Sequence, residues 1–344
     1  MNIVVLCGGL SMERDVSITG GTLIAQALRE CGHNVVLIDS FFGYMEPYDS
    51  PSDVFTREQK IETVLVGEKE PDLEAVKRSR IQEGNSILGS NVLEICAAAD
   101  ITFFALHGEE GENGKLQATF DVHGIKYTGS GYLGSALAMN KSLTKELLAR
   151  AGILTPAGIT VYPGQAPYGD VGFPCVVKPC SGGSSVGTSI VSSRSEYDAA
   201  LDLAFKYERA VIVEQYIKGR ELTVAVIDGE ALPVIEIIPK EGFYDYKNKY
   251  QAGLTTELCP APISEEMTAR IKRLSVKVSD VLMIDAYSRV DFLLDDKGDL
   301  YCLEANTLPG MTPTSLVPQM ARCSGISYGE LCEKLIEVSL KKYE

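Results

Sequence analysis

Two short stretches, Ser288-Arg289-Val290-Asp291-Phe292 and Leu303-Glu304-Ala305-Asn306-Thr307, hold two carboxylates, a carboxamide and a guanidinium at alternating positions. The segment between them reads as strand, turn, strand. With Lys297-Gly298 as a two-residue hairpin turn, Asp291 falls opposite Glu304 and Arg289 opposite Asn306. The other face then pairs Phe292 with Leu303, Val290 with Ala305, and Leu294 with Tyr301. A one-residue slip would split the apolar set between faces, so the register is specified. The oxygen donors suit a hard cation such as Mg²⁺ escorting phosphates, and Arg289 suits phosphate oxygens. The plainer alternative is a solvated salt-bridge hairpin, although surface pairs add little stability.

Around this hairpin, composition sets outer limits. The chain has 344 residues, 45% hydrophobic and 23% charged, an ordinary globular mix long enough for two or three domains. A net charge of −15 argues against a nucleic-acid surface, without excluding a nucleotide site built from a few local cations. Nine cysteines are scattered with no C-x-x-C, so neither zinc nor a redox pair is signalled. No apolar run approaches the length of a membrane span, and the chain enters a strand directly with no basic leader. No membrane association and a cytoplasmic location are the expectations.

The elements that must position the chemistry fall into an order. Strands over 3–7, 35–39 and 101–107 alternate with helices over 17–30 and 91–99, which implies a parallel sheet with helices on both faces. Residues 41–89 read as an insertion of uncertain structure. Gly8-Gly9 is not a dinucleotide fingerprint, and no Walker A sequence occurs. Polar residues just past strand ends, Glu13 and the run from His107 to Gly111, stand where such sheets bind ligands. A helix over 135–151 with Asn140-Lys141 inside it leads onward. A strand over 173–178 ends at Lys178 and runs into Ser181-Gly182-Gly183-Ser184-Ser185-Val186-Gly187. That loop either wraps phosphate oxygens with its N–H groups or is a plain flexible turn, and adjacent Lys178 favours the former. A strand over 188–192 closes a hairpin. A helix over 195–208 carries Tyr197, Leu201 and Ala204 at helical spacing, and strands cover 211–217 (with Glu214), 221–227 and 232–238. Residues 242–250, with four aromatics and no period, read equally as an active-site lid or a loop pinned over the core. Helices over 264–282 and 327–343 complete the chain.

The motifs form one ordered series. They are Gly8-Gly9 with Glu13-Arg14-Asp15-Val16-Ser17; Ala105-Leu106-His107-Gly108; Gly114-Lys115-Leu116-Gln117; and Tyr127-Thr128-Gly129-Ser130-Gly131. Lys178-Pro179 with Gly183-Ser184-Ser185-Val186-Gly187 follows, then Tyr244-Asp245-Tyr246 with Lys249-Tyr250. Arg289-Val290-Asp291, Glu304-Ala305-Asn306-Thr307 and Pro309-Gly310-Met311-Thr312 end the series. In this order the motifs closely resemble the D-alanine–D-alanine ligase family of the ATP-grasp fold. The resemblance implies an α/β chain: a Rossmann-like substrate domain over 1–140, a central ATP-grasp subdomain over 141–221, and a C-terminal one over 222–344.

It also implies roles. Lys141, Lys178 and Lys249 would hold ATP phosphates under the 181–187 loop, which includes Ser185. Glu214 would accept from the adenine amino group, the Ile217 backbone would read the ring edge, and Glu221 would bind the ribose. Asp291, Glu304 and Asn306 would hold two Mg²⁺, with Mn²⁺ an alternative. Arg289 and the Gly310 N–H would stabilise developing negative charge. Glu13, with His107 nearby, would anchor the first D-alanine. Ser315 Oγ and the Leu316 N–H would receive the carboxylate of the second. Glu13, Ser184 and Tyr250 would form a hydrogen-bonded triad over the substrates. A homodimer through the N-terminal domain is implied too. Leu308 stands where many members carry Ser, as in some D-lactate enzymes. Those enzymes, however, lack the aromatic lid and place His at the Tyr250 position. D-serine ligases can keep the lid, so D-alanine–D-serine and D-alanine–D-lactate ligation, or another ATP-grasp carboxylate–amine ligation, are the alternatives to D-alanyl-D-alanine synthesis.

Overall fold

The computed structural model describes residues 1–59, 71–81, 84–164, 171–183, 186–240 and 254–344, without the side chains of Glu109 and Glu110. The run Ile3-Val4-Val5-Leu6 is apolar on both sides, as a strand covered on both faces must be. It lies in β1 (Asn2–Cys7), which pairs in parallel with β2 (Asn34–Asp39) and β3 (Ile101–Phe104), as the alternating pattern implies. The helix Arg14–Glu30 crosses between β1 and β2, starting earlier than its apolar period suggests. At Gly8, φ is +73° and a Cβ would collide with the Asp39 carboxylate, so only glycine fits the turn. Ser17 Oγ accepts from Gly8 N at 2.8 Å and donates to Ala105 O at 2.6 Å, tying the ends of β1 and β3 together. The third strand ends at Phe104, short of 107, because the chain then turns at Gly108 (φ +64°). Within 41–89, the described residues form a 3₁₀ turn, Pro51–Thr56, and a helix, Leu73–Ser79.

The single helix expected over 135–151 is two helices, Tyr132–Met139 and Lys141–Arg150, parted at Asn140. Asn140 is extended, and its side chain accepts from Leu143 N at 3.1 Å. Asparagine is among the strongest N-caps, which is why the helix restarts there and sets Lys141 in its first turn.

A second sheet runs β4 (Gly158–Val161), β7 (Val211–Gln215), β5 (Cys175–Pro179), β6 (Ser189–Val191), all antiparallel. The hairpin between β5 and β6 carries the glycine–serine loop, as expected. Helix Arg194–Ala204 covers this sheet with Tyr197, Leu201 and Ala204 buried.

The third sheet, among the described residues, runs β11 (Thr255–Leu258), β10 (Ile235–Pro239), β8 (Gly219–Ile227), β12 (Tyr287–Asp295), β13 (Leu300–Asn306), with β9 (Glu230–Ala231) on β8. Arg289↔Asn306, Val290↔Ala305 and Asp291↔Glu304 pair as the sequence implies. Nearer the turn the register shifts: Phe292 pairs with Cys302, not Leu303, and Leu294 with Leu300, not Tyr301. The turn is longer than two residues. Asp295 N bonds Asp299 O at 3.0 Å, and the Asp295 carboxylate accepts from Lys297 N and Asp299 N. Gly298 supplies the left-handed position (φ +84°) such a three-residue turn requires. A bulge at Leu303 absorbs the difference and restores the register at the carboxylates.

The cores do not follow chain order. The helices Leu316–Cys323 and Tyr328–Leu340 share one hydrophobic cluster with β1 and β3, where Met320 and Leu335 lie with Ile3 and Leu28. Leu148 and Ile153 instead join Phe292 and Ile271 beneath the third sheet, against the helix Glu265–Val281. The described residues include no helix long and apolar enough to cross a membrane.

Candidate active site

A cavity of about 980 Å³ opens between the second and third sheets, with Glu13 at its N-terminal end. Glu13, Lys141, Lys178, Glu214, Ile217, Glu221, Asp291 and Glu304 all line it. Ser184, Ser185, Lys249 and Tyr250 lie outside the described residues. Their neighbour Gly183 comes so near that a Cβ would stand 2.9 Å from Glu13 Oε2, bringing the glycine–serine loop to Glu13.

Strand alternation places the polar group on the third sheet. Arg289, Asp291 and Leu293 share one face of β12 by period 2. On β8, Thr223 lies opposite Asp291 and Glu221 opposite Leu293. Asp291 is 6% exposed and accepts from Thr223 Oγ1 at 2.6 Å, Arg289 Nε at 3.0 Å, Arg289 Nη2 at 2.7 Å and Asn306 Nδ2 at 3.1 Å. Arg289 and Asn306 therefore reach the site through Asp291. Bulged Leu303 joins Leu293 as apolar lining.

The lysines are paired with carboxylates. Lys141 Nζ donates to Gly182 O at 2.8 Å and stands 3.4 Å from Glu304 Oε2. On the second sheet Val176 pairs with Glu214, so Lys178, two residues on, rises on the same face. Lys178 Nζ meets Glu214 Oε1 at 2.5 Å, and Lys145 Nζ meets Oε2 at 2.6 Å. Burial pushes the Glu214 carboxyl up, but Lys178 and Lys145 outweigh it and hold it below the usual range. Burial drags Lys178 down, but Glu214 and then Glu304 leave it above its ordinary value.

At the N-terminal end, burial lowers the His107 imidazole, with Glu13 opposing. The neutral ring donates from Nδ1 to Leu308 O at 3.0 Å. Glu112 takes the other side of the same residue, accepting from Leu308 N at 3.4 Å and Gly108 N at 2.6 Å. Burial, then Glu13, pushes its carboxyl up to about 7. His107 and Glu112 thus grip both backbone groups of Leu308 and set the course of Pro309-Gly310. Ser315 Oγ is 2.7 Å from Thr312 Oγ1 and accepts from Thr312 N at 3.1 Å. Ser315 is the N-cap of Leu316–Cys323, so Leu316 N–H belongs to the turn that helices leave without internal partners. A Cβ on Gly310 would stand 3.0 Å from Ser315 Oγ, which puts the two side by side.

Three participants escape the sequence reading. Lys145 carried a signal, being one turn from Lys141 on the same helix face. Thr223 carried another, two residues beyond Glu221 along a strand. Glu112 carried none; only the fold separates it from its acidic neighbours.

A parallel-sheet unit followed by two antiparallel sheets, with a lysine- and carboxylate-lined cavity between them, defines an ATP-grasp enzyme. Residues 2–130 match the D-ala D-ala ligase N-terminus model and residues 164–337 the D-ala D-ala ligase C-terminus model. The chain belongs to the D-alanine–D-alanine ligase family. It is 42% identical to the D-alanine–D-alanine ligase of Pediococcus pentosaceus, over 100% of this chain and 99% of that one. Among solved structures it resembles the ATP-complexed D-alanine–D-alanine ligase from Bacillus anthracis, with 32% identity, TM-score 0.74, and coverage of 99% and 97%. It also resembles the VanG D-Ala:D-Ser ligase from Enterococcus faecalis, with 29% identity, TM-score 0.75, and coverage of 98% and 99%.

Proposed function

We propose that the cavity joins two D-alanines into D-alanyl-D-alanine at the expense of ATP, through a D-alanyl phosphate, for peptidoglycan precursor synthesis. The observation carrying this reading is the pairing of Asp291 with Glu304, on β12 and β13, in a cavity that also holds Lys141 and Lys178. The donor set fits Mg²⁺: two carboxylates and the Asn306 carboxamide are hard oxygen ligands, and Asn306 already turns its amide nitrogen away toward Asp291. Bound there, two Mg²⁺ would supply charge neutralisation on the transferring phosphoryl group.

The residues divide the remaining work. Lys141, Lys178 and Lys249, with the Ser185-bearing loop, hold the phosphates. Glu214, the Ile217 backbone and Glu221 take adenine and ribose. Glu13, with His107 beside it, holds the ammonium of the first D-alanine, so the carboxylate oxygen of that D-alanine attacks the γ-phosphorus and ADP leaves. Ser315 Oγ and Leu316 N–H hold the second carboxylate. The second amine, once deprotonated, attacks the acyl carbon, and the tetrahedral oxyanion meets Arg289 and Gly310 N–H before phosphate departs. The Glu13–Ser184–Tyr250 triad closes over an acylphosphate from which water must be kept. Cytoplasmic location, a homodimer, and domain divisions near 140 and 221 belong to the same proposal. Phosphate release from ATP that depends on D-alanine, with L-alanine inert and the dipeptide found by mass, tests it. ATP turnover indifferent to D-alanine refutes it.

A further inference from the structure

Glu214 presents an asymmetry. Its carboxylate is buried, and each oxygen holds one ammonium: Lys178 from β5 and Lys145 from the helix Lys141–Arg150. The proposed nucleotide site draws Lys178 away to the phosphates, and this inference rests on that reading. A buried carboxylate stripped of its partner is strongly unfavourable unless it takes a proton. The other side of Glu214 offers no relief, since its neighbour across β4 is Gly158. The remaining titratable groups nearby are Glu304, which acts on Lys178, and the Cys180 and Cys302 thiols, which burial keeps protonated.

We infer that Lys145 is a positioning residue: the standing counter-ion that keeps Glu214 ionised and aimed at the adenine pocket while Lys178 exchanges between Glu214 and phosphate. Lys145 itself touches no phosphate in this account. Its ammonium acts only through Glu214.

Calorimetric titration of the whole protein with Mg·ATP, without D-alanine, from pH 6 to 8 and in buffers of differing ionisation enthalpy, reads this directly. The unmutated protein binds ATP with affinity changing less than about twofold and no net proton uptake. In Lys145→Met, ATP binding takes up close to one proton near pH 7, and affinity falls about tenfold for each pH unit while Glu214 titrates. Lys145→Arg restores the flat profile. Glu214→Gln combined with Lys145→Met removes the titrating carboxyl and leaves Lys178 with the attraction of Glu304, so ATP binding loses its pH slope even if Lys145→Met alone does not fold. Loss of ATP binding by the unmutated protein defeats the nucleotide-site reading itself. A Lys145→Met profile like the unmutated one, or a slope that survives in the double variant, overturns the counter-ion role alone.

Discussion

Replacing Asp291 by Ala removes one acceptor from four donors at once. Its partners are Thr223, the two Arg289 nitrogens and Asn306, and the Arg289 side chain is 12% exposed. Hydrogen bonds to a charged group contribute about 1.5–3 kcal/mol each, and stripping a buried pair of one partner costs about 3–5 kcal/mol because the other charge stays behind. The stability loss should fall in that second range, since the bonds share one carboxylate and do not add. For a chain of this size that lowers the melting temperature by roughly 4–7 °C. Asp291→Asn keeps the shape and part of the accepting capacity, so it should lose about half as much. Ligand supplies a second reading. Mg·ATP at a hundred times its dissociation constant stabilises the unmutated protein by about 2.7 kcal/mol, and neither variant should gain more than a fraction of that. Thermal unfolding with and without Mg·ATP, beside D-alanine-dependent phosphate release, measures both. An Asp291→Ala protein that melts within about 2 °C of the unmutated one, or still turns over, refutes the network as drawn.

Glu304→Gln should abolish turnover with the melting temperature little changed, as judged by phosphate release and circular dichroism. Phe292→Ala should lose about 3–5 kcal/mol in denaturant titration, because its ring is fully buried beside Cys302. Glu112 titrates near 7 in the folded chain, above its ordinary value, so its contribution is complete below pH 4.5 and is lost as pH rises through 7. Denaturant midpoints should therefore fall between pH 5 and 8, and Glu112→Gln should flatten that fall. Tyr250→His should make more D-alanyl-D-lactate and less dipeptide near neutral pH, since a cationic imidazole repels the incoming ammonium; product mass in a D-alanine and D-lactate mixture decides it.

The elements with strong local periods were legible. β1, β2 and the buried face of Arg194–Ala204 follow from apolar spacing, and the carboxylate pairing on β12 and β13 follows from alternation. What escaped depends on competition between local effects. Asn140 interrupts a run of good helix formers because capping outweighs propensity at one residue. The hairpin turn gained a residue because Asp295 folds its carboxylate over the turn amides, and Leu303 bulged to compensate. Lys145 was invisible as a partner of Glu214 because that contact joins a helix to a strand 69 residues away.

The helices at the end of the chain fill the core begun at its start, with Met320 and Leu335 packed among Ile3 and Leu28. This has a consequence for biosynthesis. The sheet of β1–β3 is made before these helices and cannot seal that apolar face until they have been made. A nascent chain released before Leu316 should expose that face, and so should one clipped there by a protease. Substrate-domain maturation therefore waits for the helices Leu316–Cys323 and Tyr328–Leu340.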